Sequence, residues 1–140
     1  MSWINKLAFI SVSSLLASGP VYASNWVIVS RDDSLTVYVD TQSVRKDGVS
    51  VKVWSKWVWS SPQKLEFIQP AEIYKSVRQL SEYHCNERTY TVQKDVLYAD
   101  TEMTEVVDTL DYPDIPEEVV PGSSDESIFE FVCKAIPAQK

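Results

Sequence analysis

The chain predicts an α+β domain: a β-rich body closed by one C-terminal helix, with a disulfide tying the helix to the strands. Three observations lead there. Val49 to Trp59 is dominated by β-branched and aromatic residues, with a more apolar face on alternate positions, the pattern of a strand half turned to a core. Ser123, with Glu126 three positions on, opens a run in which Ile128, Phe129, Val132, Cys133 and Ile136 share one apolar helical stripe. The only two cysteines, Cys85 and Cys133, fall in a strand-like segment and on that helix face.

The disulfide follows from where the chain is sent. Met1 to Lys6 carries one positive charge, Leu7 to Ala17 is an apolar run softened by serines, and Val21-Tyr22-Ala23 is a step a signal peptidase cuts before Ser24. Residues 1–23 are therefore read as a cleaved leader and 24–140 as one domain, close to the commonest domain size of roughly 100–150 residues. Serines, Gly19 and Pro20 break the apolar run, which favours cleavage over retention as an anchor, and no cysteine closes it to take a lipid. In an oxidising compartment Cys85 and Cys133 pair, pinning the helix to the strands and contributing roughly 4 kcal/mol on the chain-entropy estimate. The whole chain has a formal net charge of −7, and Lys6 is the only charge in the leader, so the remainder is one unit more negative. Such acidity argues against nucleic acid as a partner, and no later apolar run approaches the ~20 residues that span a bilayer.

Along the mature chain, Trp26 to Val29 and Thr36 to Asp40 read as strands around a polar turn, and Asp47-Gly48 reads as a tight hairpin turn before the long strand. Val51, Val53, Ser55, Trp57 and Trp59 should face the core; Lys52, Trp54, Lys56 and Val58 face away. Ser60 to Gln63 breaks the run. Residues 71–82 read either way: Ile73, Val77 and Leu80 recur at helical spacing, while Tyr74, Ser76, Arg78 and Leu80 form one face of a strand. Tyr83 to Tyr98 is a strand interrupted near Gln93 to Asp95, Met103 to Val107 a weaker one, and Asp108 to Pro121 an acidic, proline-punctuated loop.

Catalytic sets are hard to assemble. His84 is the sole histidine, and with Cys85 in a disulfide it has no thiol to activate. One histidine and two distant cysteines fall short of a four-ligand zinc site. The carboxylates Asp108, Asp111, Asp114, Glu117 and Glu118 do not follow EF-hand spacing. The expectation is no catalytic residue, no metal and no cofactor. Trp54, flanked on its strand face by Lys52 and Lys56, is the candidate contact residue, since aromatic side chains anchor many protein interfaces.

Trp26, Tyr38-Val39-Asp40 with Ser43 and Gly48, Val51-Lys52-Val53-Trp54, Tyr83-His84-Cys85-Asn86-Glu87-Arg88, and Val120-Pro121-Gly122-Ser123 leading to Cys133 occur in an order that resembles the surface-adhesin protein E family. The resemblance spans nearly the whole mature chain. It implies a twisted antiparallel sheet, here of about five to six strands, with a C-terminal α-helix packed on it and joined by the disulfide. It also implies binding of host matrix or plasma proteins from the cell surface, although the lipidation cysteine of the name-giving adhesin is missing. The expected protein is thus a non-catalytic binding domain, periplasmic or secreted, with a protein partner and a homodimer among the forms expected. A small hydrolase inhibitor and an envelope assembly factor are the alternatives, separable by enzyme inhibition and by pull-down from the cell's own extract.

Overall fold

The computed structural model describes residues 23–135. The expected leader, except for Ala23, and Ile136 of the helical stripe lie outside the described residues. Eight antiparallel strands form one sheet: β1 (Trp26–Arg31), β2 (Leu35–Asp40), β3 (Arg45–Asp47), β4 (Ser50–Leu65), β5 (Glu72–His84), β6 (Thr89–Tyr98), β7 (Val106–Asp111) and β8 (Glu117–Glu118). Helix α1 (Ser124–Glu130) follows and runs into a π-helical turn at Phe131–Ala135. The strand count exceeds the expected five to six. The sheet is nevertheless six positions across, in the order β1-β2-β4-β5-β6-β7, because the short β3 and β8 pair on stretches of β4 and β6 that β2 and β7 leave open.

Residues 71–82 are strand. β5 is hydrogen-bonded along both edges, to β4 and to β6, and buries Ser76, Val77, Ser81 and Tyr83, so pairing decides what local periodicity left open. Tyr83 to Tyr98 is two strands: a turn at Cys85–Arg88, with Arg88 at φ 52°, separates β5 from β6. The irregularity near Gln93 is a β-bulge, since Leu80 faces Lys94 and Ser81 faces Val92 with Gln93 extra. Ser60 to Gln63 does not end β4, which continues to Leu65; its pairing with β5 breaks between Val58 and Gln63, and Pro62 sits in that gap, where a missing N–H costs no ladder bond. Met103 to Val107 is mostly turn, built on the Asp100 carboxylate, which accepts the Thr104 and Glu105 N–H groups at 3.0 and 3.1 Å, and β7 begins only at Val106. The expected acidic loop therefore contains most of β7 and all of β8. In the β3–β4 hairpin the two-residue turn is Gly48-Val49 rather than Asp47-Gly48, and only the glycine takes positive φ, at 60°.

Alternation along the strands divides the sheet into an inner and an outer face. Val37 and Val39 of β2, Val51 and Val53 of β4 and Tyr83 of β5 form the inner core, on which Ile128, Phe129 and Val132 pack. A second cluster, Leu65, Val77 and Leu97 with Trp57 and Trp59 against it, fills the far half of that face. Cys85 and Cys133 are bonded, with 5.7 Å between their Cα atoms. Ser123 caps α1 by accepting the Glu126 N–H at 3.2 Å, while the Glu126 carboxylate accepts the Gly122 N–H rather than completing the box on Ser123. The segment Tyr83–Arg88 holds the helix along its length. Tyr83 Oη donates to Asp125 at 2.9 Å, Cys85 bonds Cys133, and Arg88 pairs with Glu126 at 3.1 Å and Glu130 at 3.3 Å while lying 5.0 Å above the Phe129 ring.

Candidate binding clefts on the two sheet faces

Among the described residues no helix covers the outer face, so its side chains cover one another. Trp26 of β1, Tyr38 of β2, Trp54 and Lys56 of β4, Arg78 of β5 and Val96 and Tyr98 of β6 meet there because each occupies the outward phase of its strand. The Lys56 Nζ stands 4.9 Å from the Trp26 ring centre and 4.4 Å from that of Tyr38. The Arg78 guanidinium stands 5.7 Å from the same Trp26 ring and 5.9 Å from that of Tyr98. These cation–π distances hold both cations in place. Burial, and after it the Arg78 charge, lowers the Lys56 pKa below its ordinary 10.5. Ser24, Trp26, Asp40, Trp54, Arg78, Val96 and Tyr98 enclose a cleft of about 370 Å³ beside them.

The inner face, beside the start of α1, has the opposite character. A groove of about 410 Å³ lined by Gln79, Asp95, Tyr112 and Ile115 adjoins a smaller one bounded by Trp57, Trp59, Tyr74 and Asp125. Trp57 and Trp59 stack with their centres 6.5 Å apart, and Tyr74 meets Trp59 edge-on at 5.7 Å. Asp95 accepts from Tyr112 Oη at 2.8 Å and Gln79 Nε2 at 3.0 Å. Burial raises the pKa of both Asp95 and Asp125 above 3.8 despite these hydrogen bonds.

At the one histidine, Ser50 and Glu82 do not form a serine–histidine–carboxylate relay. Ser50 Oγ lies 3.1 Å from His84 Nδ1, and Glu82 approaches that same nitrogen at 3.8 Å, while Nε2 faces Thr91 at 3.4 Å. A nucleophile–base–acid relay needs the hydroxyl and the carboxylate on different ring nitrogens, which Ser50 and Glu82 are not, and Thr91, on the other nitrogen, is buried at 1% exposure. Among the described residues, no three His, Cys, Asp or Glu side chains converge to hold a metal ion. No helix among them is long and apolar enough to cross a membrane.

Of the expected contact residues, Trp54 lines the outer cleft and Lys56 stands over its aromatic wall. Lys52 shares the face but lies outside the cleft, exposed between Arg45 of β3 and Glu82 of β5. Trp57 and Trp59 pack on the inner cores as expected. Sequence reasoning missed Arg78, Trp26, Tyr38 and Tyr98 as parts of the site. Their signal was present in the strand phase of Arg78, but only the register, Lys56 opposite Arg78 and Tyr38 opposite Lys56, brings them together.

Neither the curated proteins nor the solved structures include a match to the chain. A family model does match, described as surface-adhesin protein E and covering residues 26–134, from the first residue of β1 past Cys133. The chain belongs to the surface-adhesin protein E family.

Proposed function

We propose that this protein is an exported, non-catalytic binding domain that docks a protein partner on its outer sheet face, with Trp54 and Lys56 at the centre of the contact and Lys52 at its rim. Family membership suggests a surface-adhesin-like, non-enzymatic binding role and an extracellular or surface location. The finer reading is that residues 1–23 are removed on export, that the mature protein is periplasmic or secreted, and that host matrix or plasma proteins are the partners. A second copy of the chain is a further protein partner, read out by sedimentation.

The observation that carries the reading is the outer face, where aromatic rings and two cations pack together with no second layer over them among the described residues. Rings of this kind are what protein interfaces use as anchors. Trp54→Ala is the test, because the backbone N–H of Trp54 bonds Ser43 Oγ at 2.9 Å and that bond survives truncation. Binding to immobilised matrix and plasma proteins should weaken by more than about 1 kcal/mol, roughly fivefold, with the melting temperature unchanged. A lowered melting temperature with unaltered binding would move the contact surface elsewhere.

A further inference from the structure

We propose that the outer cleft is a carboxylate site, seating an acidic side chain of the protein partner between Lys56 and Arg78. This names the chemistry of the docking face proposed above and rests on that reading for its biological setting. Lys56 and Arg78 are direct cross-strand partners in β4 and β5, an arrangement of like charges that costs stability. Neither forms an ion pair or a hydrogen bond to a carboxylate among the described residues. Asp40 lines the same cleft without pairing with either cation; its Oδ1 accepts from the N–H groups of Asn25 at 2.9 Å and Gln42 at 3.1 Å.

Arg78 Nε is buried without any hydrogen-bond partner. Nε itself is sealed from a ligand, so a carboxylate entering the cleft would accept from the Nη groups of Arg78, whose side chain lines it. The rings of Trp26, Tyr38 and Tyr98 already fix both cations, so little side-chain freedom remains to be lost on binding. Trp26, Trp54, Val96 and Tyr98 make the walls apolar, which suits an acid carried on an aliphatic stem with apolar neighbours. Two positive charges on an otherwise acidic protein match a single carboxylate, while a polyanion would meet repulsion from the rest of the surface. On the export reading, cleavage before Ser24 adds an α-ammonium at the rim of the same cleft.

The test titrates the protein with the capped tripeptide Leu-Glu-Leu, its counterpart Leu-Gln-Leu, and inorganic phosphate, following the indole N–H signals of Trp26 and Trp54 by NMR. The glutamate tripeptide should shift both signals and bind at least about tenfold more tightly than the glutamine one, as expected for a charge-assisted hydrogen bond. Arg78→Gln should abolish that preference and Arg78→Lys should keep part of it. If Arg78→Gln does not fold, Lys56→Met serves in its place, and the wild-type comparison of the two tripeptides needs no variant. Equal binding of both tripeptides, no shift at either indole, or tighter binding of phosphate overturns the proposal. Loss of the glutamate preference with Trp54-dependent partner binding intact sinks this inference alone; the reverse sinks the docking reading alone.

Discussion

Breaking the Cys85–Cys133 bond should destabilise the protein without removing its fold. The bond closes a loop with a sequence separation of 48, for which the chain-entropy relation gives about 4 kcal/mol at 25 °C. That is a large part of the ~5–15 kcal/mol typical of a domain, and corresponds to a fall in melting temperature of about 15 °C at this chain length. The native helix keeps other holds. Ile128, Phe129 and Val132 stay in the core, Tyr83 Oη still donates to Asp125 at 2.9 Å, and Arg88 still reaches Glu126 and Glu130. The cost therefore falls mainly on the unfolded state, which regains the freedom of the opened loop. Urea denaturation of the oxidised protein and of the Cys85→Ser, Cys133→Ser double variant, followed by circular dichroism, measures it. A loss below about 1 kcal/mol would refute the loop-entropy reasoning, and a loss of helical signal before urea is added would show that the bond, not the core, docks the helix.

Two further outcomes follow from the backbone and the inner groove. Gly48→Ala should cost about 1 kcal/mol in urea denaturation although no atom lies within 4 Å of the added Cβ, because φ is 60° there and an L side chain is strained in that region. Burial lifts the folded-state pKa values of Asp95 and Asp125 above 3.8, so the native protein retains protons that the unfolded chain has released. Their contribution to stability is present below the unfolded value and is lost as pH rises through the lifted values; Asp95→Asn should flatten that decline in urea stability measured against pH, and an unchanged profile would count against the burial argument.

The elements most legible in the sequence are those whose signals are local. The capped helix and its stripe from Ile128 to Cys133, the alternation of β4 and the pairing of the two cysteines needed no knowledge of neighbours beyond the oxidising context. β5 was ambiguous because Ile73, Val77 and Leu80 fit a helix as well as a strand, and only its double-sided pairing decides between them. β7 was displaced, and β8 absent from the reading, because the turn on Asp100 and a two-residue strand at Glu117–Glu118 take their form from contacts rather than composition. The site divides the same way. Trp54 and Lys56 share one strand and could be read together, while Arg78 and Trp26 belong to strands whose register no local pattern contains.

Period-two alternation separates what holds this fold from what it offers to a partner. In β4, Val51, Val53, Ser55 and Trp57 point to the inner face, while Lys52, Trp54 and Lys56 point to the outer one. In β5, Val77, Ser81 and Tyr83 build the inner face, and Tyr83, with Cys85 just beyond the strand, grips the helix; Arg78 points the other way, into the cleft. Among the described residues one α-helix packs against a sheet six positions across and covers a single face, so the other is solvated or covers itself with large side chains. Here it does the latter, through rings that lie under the charged heads of Lys56 and Arg78. The opposed cations weaken the outer face, and the fold tolerates this because the valine core, the helix and the disulfide all lie on or against the inner one. A substitution at an outward position of β4 or β5 can therefore alter binding while the core is left as it was, which is why Trp54 and Arg78 can be varied as probes of function.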